Sequence, residues 1–177
     1  NVVIPPEYTV IYWLFQKYGL KLSWSKNDFE SFYHDFMTLG WKYKTWQIDH
    51  ENLKKALLNA PSDITFQNLI RLLYLNTVSF FNKEKILAIG DKNPLYATIP
   101  EKIFRIFPDA GYIFLTRDYR DHILSVKKVD FEAPNTALIA FRWRYAARKM
   151  ERMKKAGVRF ITLKYEDLVA EPEKSMQ

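Results

Sequence analysis

Residues 111–125 read GYIFLTRDYRDHILS. Gly111 to Thr116 form a short run with the branched and aromatic content of a buried strand, and Arg117–Asp118 and Arg120–Asp121 follow directly. Two further runs have the same character, KILAIG (85–90) and VRFITLKY (158–165). Helical patterns lie between them. In LYATIPEKIFRIF (95–107), Ile99, Ile103 and Ile106 recur at helical spacing, and a long helix is predicted from a cap at Asn135, after Pro134, to a stop at Gly157. Strand–helix–strand alternation of this kind predicts an α/β fold, a parallel β-sheet flanked by helices.

On the long helix, Ile139, Trp143, Ala146, Met150 and Met153 form an apolar stripe facing the core, and Arg144, Arg148, Arg152 and Lys155 form a solvated basic face. Upstream, residues 7–82 read as a helical block with candidates at Glu7–Tyr18, Lys26–Leu39, Asp49–Leu58 and Thr65–Phe81. The last is apolar nearly all round and so is predicted to be buried. SWSKNDFESF offers Ser or Asn caps followed by acids. Such a block over one end of a sheet is where substrate selectivity resides in many enzymes.

The chain has 177 residues, 48% of them hydrophobic and 16% aromatic, enough for a substantial core, and it contains no repeat, low-complexity tract or linker. A single domain over 1–177 is expected. The balance of 27 basic against 20 acidic residues gives +7, a field that favours anionic ligands without choosing among them. With no cysteine, disulfides, thiolate metal sites and a cysteine nucleophile are excluded, and His34, His50 and His122 have no metal-ligand spacing, so no metal is expected. No apolar run approaches the roughly 20 residues of a membrane span, and residues 1–15 lack the order of a secretory signal. These absences favour a cytoplasmic location.

Ligands of open parallel sheets bind beyond the carboxyl ends of the strands. Those ends supply Lys92, then Arg117 with Arg120, then Lys164 with Tyr165. The plain alternative is that these charges simply face water. Asp118 is expected to cap the following helix, with Arg120 and Asp121 as an ion pair shaping the loop, and Glu166 and Asp167 as cap or salt-bridge partners of the next helix.

FPDAGYIFLTRDYRDHILS (107–125), the Trp-bearing helix and TLKYEDLVAEPEK (162–174) together resemble the sulfotransferases that use 3′-phosphoadenosine 5′-phosphosulfate (PAPS). The likeness is strongest to the branch of protein-tyrosine sulfotransferases and bacterial relatives, which NVVIPPEYT (1–9) and GDKNP (90–94) also resemble. The resemblance implies a P-loop nucleotide-hydrolase-like fold and transfer of a sulfuryl group to a hydroxyl or amine, leaving PAP. It implies that Arg117 and Ser125 bind the 3′-phosphate; a permanently charged guanidinium fork and a hydroxyl suit phosphate oxygens. It places Tyr165 on the adenine side, with a half-buried tyrosine closing a strand as the alternative. Lys92 is the candidate cation for charge developing on the leaving phosphate.

Glu7 matches the catalytic glutamate of the tyrosine-sulfating relatives, with Pro5–Pro6 to hold it. A glutamate after two prolines is otherwise an N-terminal helix residue. His34, His50 and His122 are the alternatives if a histidine is the base, as in the cytosolic branch.

One family feature is missing. The glycine-rich loop that cradles the 5′-phosphosulfate has no counterpart, since Gly19, Gly40, Gly90, Gly111 and Gly157 are isolated. The expectation is that residues preceding Asn1 supply it, and that more follows Gln177; the 177 residues alone are expected to lack transferase activity. A P-loop kinase and a basic nucleic-acid-binding module are the other readings, each weaker in its motifs. The acceptor stays open among a protein tyrosine, a sugar and a lipid head group.

Overall fold

Two pairs of parallel strands organise the protein, one in each of the two units, Asn1–Asn93 and Pro94–Gln177, into which the chain divides. The computed structural model describes residues 1–39, 46–77, 82–129 and 135–176. The α/β class with parallel strands is as expected. The strands form two separate two-stranded pairs within the described residues, where one sheet was predicted.

In the first unit, β1 (Val2–Val3) is followed by α1 (Val10–Tyr18), α2 (Lys26–Thr38), α3 (His50–Leu58) and α4 (Phe66–Leu75). A 3-10 turn at Lys83–Lys85 then leads into β2 (Ala88–Ile89), which pairs with β1. The helical block is therefore the crossover between two parallel strands. Its helices begin where short polar side chains satisfy free N–H groups. Ser25 and Asp28 form a reciprocal capping box, Asp49 accepts from Asn52, and Thr65 accepts from Asn68. The backbone and hydroxyl of Ser25, with Lys21, pull the Asp28 carboxyl down to about 2.

Phe32, Phe36, Leu53, Leu69 and Leu73 are inaccessible, and Tyr8, Trp24 and Trp46 join them. Trp24 stacks on Phe29 at 5.4 Å between centroids, and Trp46 meets Tyr74 edge-on at 5.1 Å. Fully burying one such side chain contributes roughly 1.5–3 kcal/mol, so this aromatic core is what makes the crossover a folded body.

Two boundaries differ from expectation. α1 starts at Val10, leaving Glu7 outside the helix, because the Pro6 carbonyl accepts the Trp46 indole N–H at 2.6 Å and is not free for the first helical bond. β2 keeps only two residues of KILAIG, since its partner β1 is itself two residues long. Just beyond, Gly90 donates to Val3 O at 2.8 Å, and a Cβ there would lie 2.9 Å from Ile4 Cγ1, so a larger residue would push the exposed Ile4 side chain aside. The fourth helix ends at Leu75; residues 78–81 of its predicted span lie outside the described residues.

The second unit opens with a 3-10 turn at Pro94–Thr98 and continues through α5 (Pro100–Ile106), β3 (Ile113–Thr116) and α6 (Tyr119–Val126). α7 (Thr136–Lys155), β4 (Ile161–Lys164), α8 (Tyr165–Ala170) and α9 (Pro172–Ser175) complete it. The single helix expected over 95–107 is broken at Ile99, whose φ of −133° and ψ of 40° reflect the exclusion of helical geometry before Pro100.

α7 matches its prediction. Asn135 accepts from Leu138 N at 3.1 Å, and Gly157, at φ 83°, ends it; Pro134 lies outside the described residues. Ile139 and Met150 are buried and Trp143, Ala146 and Met153 half-buried, while Arg144, Arg148, Arg152 and Lys155 are exposed. α7 packs on α5, where Lys149 pairs with Glu101 at 2.6 Å, and on α6. No helix among the described residues is long and apolar enough to cross a membrane.

Candidate functional site

Parallel pairing sends both strands of a pair out at the same end, and this places the candidate residues. In the first unit the register Val3↔Ile89 releases Ile4–Glu7 and Gly90–Lys92 side by side. The Lys92 ammonium there forms an ion pair with the Glu7 carboxylate. The Lys92 side chain is 71% exposed and that of Glu7 37%, so the pair stands at the surface and is not spent on the core. What holds Glu7 is its neighbours: Pro6 through the Trp46 indole, and Tyr8, 2% exposed, through ring contacts with Trp46 at 5.8 Å and Phe36 at 6.4 Å. The N-terminal-helix alternative for Glu7 is overturned, and the rigidity assigned to Pro5–Pro6 has a second source in Trp46.

In the second unit the register runs to Thr116↔Lys164, so Arg117 and Tyr165 are the next residues out of β3 and β4. The Arg117 guanidinium lies over the Tyr165 ring, 4.6 Å from its centroid. Its Nε is buried and finds no acceptor, and among the described residues Arg117 makes no ion pair. The contrast with other cations is direct: Arg120 pairs with Asp118, Lys92 with Glu7, Lys149 with Glu101.

Asp118 caps α6 as expected, accepting from Arg120 N at 2.8 Å. The same carboxylate takes both Arg120 Nε at 3.0 Å and Nη2 at 2.9 Å. The predicted Arg120–Asp121 pair is thus corrected to Arg120–Asp118. The reason is geometric: Asp118, at φ −52° and ψ 132°, sits outside the helix and reaches over its first turn, whereas adjacent helical residues such as Arg120 and Asp121 diverge. The Arg120 guanidinium holds the Asp118 carboxyl down at about 2. Glu166 accepts the Asp118 backbone N–H at 2.9 Å, and that bond keeps its carboxyl below the usual range.

Ser125 is exposed in the last turn of α6 and makes no hydrogen bond to Arg117 among the described residues. Tyr165 is 38% exposed at the start of α8. Of the histidines, His34 is exposed beside Asp35, and His50 shares a hydrogen bond of 3.0 Å with the Tyr33 hydroxyl. His122, on α6, is half-buried; burial and then the Arg117 charge push its pKa down. Lys164 is exposed at the end of β4.

Three side chains that hold the candidate residues escaped the sequence reading. Trp143 had been assigned to the core stripe, yet its indole donates to Arg117 O at 3.0 Å. Trp46 had no assigned role, and Glu166 was read as a helix partner, not as an acceptor from the loop after β3.

A model of the sulfotransferase family matches residues 15–177, and the chain belongs to that family. Among solved structures, it is similar to the sulfotransferase domain of the olefin synthase from Synechococcus PCC 7002, at 21% identity and a TM-score of 0.57 over 97% of this chain and 60% of that one. It is also similar to the sulfotransferase domain from the curacin biosynthetic pathway, at 17% identity and a TM-score of 0.54 over 97% of this chain and 61% of the other. The fold is therefore of the P-loop-like sulfotransferase type. The chain spans about three-fifths of the length of each of these domains. No curated protein matches its sequence. Family membership favours sulfuryl transfer over the kinase and nucleic-acid readings.

Proposed function

We propose that the protein transfers a sulfuryl group from PAPS to a hydroxyl or amine acceptor and releases PAP. The observation that carries the reading is Arg117: a half-buried guanidinium at the carboxyl end of a parallel strand, stacked on Tyr165, with its Nε unsatisfied and no carboxylate partner among the described residues. An arginine kept from the acids around it is suited to an incoming anion, and a 3′-phosphate matches its donor fork. Ser125 is the second phosphate contact in this proposal, and Tyr165 lies on the adenine side.

The donor, when bound, supplies the activated sulfuryl group. The sulfur–oxygen bond to the leaving phosphate breaks as the acceptor oxygen bonds to sulfur. Glu7 takes the acceptor's proton, a role that needs a carboxylate held still and open to solvent, as this one is. Lys92 meets the negative charge growing on the leaving phosphate oxygen. The two side chains are in contact, so the proposed base and the proposed cation stand at one place. The acceptor is proposed to be selected by the helical crossover, 7–82.

The test is melting of the natural protein with PAP. At 100 times its dissociation constant a ligand stabilises by about 2.7 kcal/mol, which for a chain of this size is a rise of roughly 5–10 °C. Arg117→Ala should abolish the rise. Absence of any PAP-dependent shift in the unaltered protein overturns the proposal.

A further inference from the structure

The Arg117 carbonyl and the Asp118 N–H belong to one peptide group, and both ends of that group are held. Trp143 Nε1, from α7, donates to the carbonyl at 3.0 Å, and Glu166 Oε1, from α8, accepts from the N–H at 2.9 Å. A peptide just past the end of a strand has lost its ladder partners, so without these two side chains its plane is free to rotate. Holding the plane sets the direction in which the Arg117 side chain leaves the backbone. Tyr165 then supplies the face on which the guanidinium lies, at 4.6 Å. Trp143 is itself packed against Tyr119 at 5.9 Å, in the first turn of α6.

Glu166 adds a second effect. It is near enough for the Arg117 charge to help keep it ionised, yet its oxygen is engaged by the Asp118 N–H, and it forms no ion pair with Arg117. Among the described residues the guanidinium thus remains without an acid of its own.

We propose that Trp143, Tyr165 and Glu166 are positioning residues that aim Arg117, and that they act through it to select nucleotides bearing a 3′-phosphate over those without one. The proposal rests on the sulfotransferase reading above and assigns Tyr165 a role beyond an adenine contact. An adenine contact would serve every adenine nucleotide alike; a platform for Arg117 serves only those with the 3′-phosphate.

The experiment measures binding of PAP and of adenosine 5′-phosphate to the natural protein and its variants, and reads their ratio. Tyr165→Leu and Glu166→Ala should each lower the ratio about threefold or more, the scale of coupling between neighbours in contact. Tyr165→Phe keeps the ring and Glu166→Gln keeps the accepting oxygen, so both should stay within about twofold of the original ratio. Trp143→Phe, which loses only the indole N–H, should fall with the first group. In an Arg117→Ala background none of these changes should alter the ratio further.

A Tyr165→Leu protein that binds both nucleotides more weakly by the same factor overturns the inference, as does an unchanged ratio in Glu166→Ala. Should Tyr165→Leu fail to fold, the Glu166 and Trp143 variants decide by the same ratio. Failure of the underlying reading looks different, since Arg117→Ala itself would then leave the ratio intact.

Discussion

Glu7→Gln separates chemistry from stability. The pair it disrupts has one side chain 71% exposed and the other 37%, which places it among surface ion pairs worth at most about 1 kcal/mol after solvent screening. Among the described residues no hydrogen bond of the core passes through the Glu7 side chain; Pro6 and Tyr8 carry the attachment. For a chain of 177 residues, that loss lowers Tm by no more than about 4 °C. Glutamine is nearly isosteric and can still accept from Lys92, so local geometry should persist. The proton-accepting role does not survive, and removing a general base lowers kcat by about 10²- to 10⁴-fold. The assay, on the natural protein, pairs a melting curve with sulfuryl transfer from PAPS to a phenolic acceptor under saturating conditions. A kcat within tenfold of the original refutes Glu7 as the base, and a Tm drop above about 10 °C refutes the claim that its side chain is structurally idle.

Other perturbations have equally definite outcomes. Gly157→Ala places a Cβ in open space but at φ 83°, so it should cost about 1 kcal/mol, some 2–4 °C in Tm, from backbone strain alone; chemical denaturation measures it. Trp46→Phe removes the indole donor to the Pro6 carbonyl, which should cost about 0.5–1.5 kcal/mol for the lost hydrogen bond because Pro6 is exposed to water, and kcat should fall because Glu7 is no longer fixed; transfer kinetics read the second effect. His122 has a folded pKa below its ordinary 6.5, so folding favours its neutral form. The stability this contributes is complete above pH about 6.5 and is lost as pH falls through the lower folded value. Urea midpoints from pH 7.5 to 5.5 should therefore decline more steeply in the original protein than in His122→Gln.

Local chemistry was readable in the sequence and distant chemistry was not. Ser25, Asp118 and Asn135 were recognisable as caps because a cap and its N–H lie within three residues of each other. β3 and β4 were recognisable because four residues of branched and aromatic character suffice to mark a strand. β1 was missed, two residues being too few to show alternation. The break at Ile99 was hidden because the isoleucine spacing continues across Pro100, which is itself a good first residue of a helix. Glu7 and Lys92 were each proposed separately, but only the β1–β2 register reveals that they touch. The contacts of Trp143 with Arg117 and of Trp46 with Pro6 span 26 and 40 positions, and nothing in composition or periodicity encodes them.

The two-residue strands of the first unit have a consequence for the order of assembly. Glu7 and Lys92 stand 85 positions apart, and the β1–β2 pairing that joins them closes the whole helical crossover as one loop. Closing so long a loop for so few ladder bonds is unfavourable until α1–α4 have condensed around their aromatic core and shortened the path. The helices therefore form first and the proposed catalytic pair is completed last. In native-state hydrogen exchange, the amide of Gly90, bonded to Val3, should open at lower free energy than those of Leu69 and Leu73. The proposed chemistry then sits on a seam that opens before the core does, and a partially unfolded molecule should lose transfer activity before it loses its helical core.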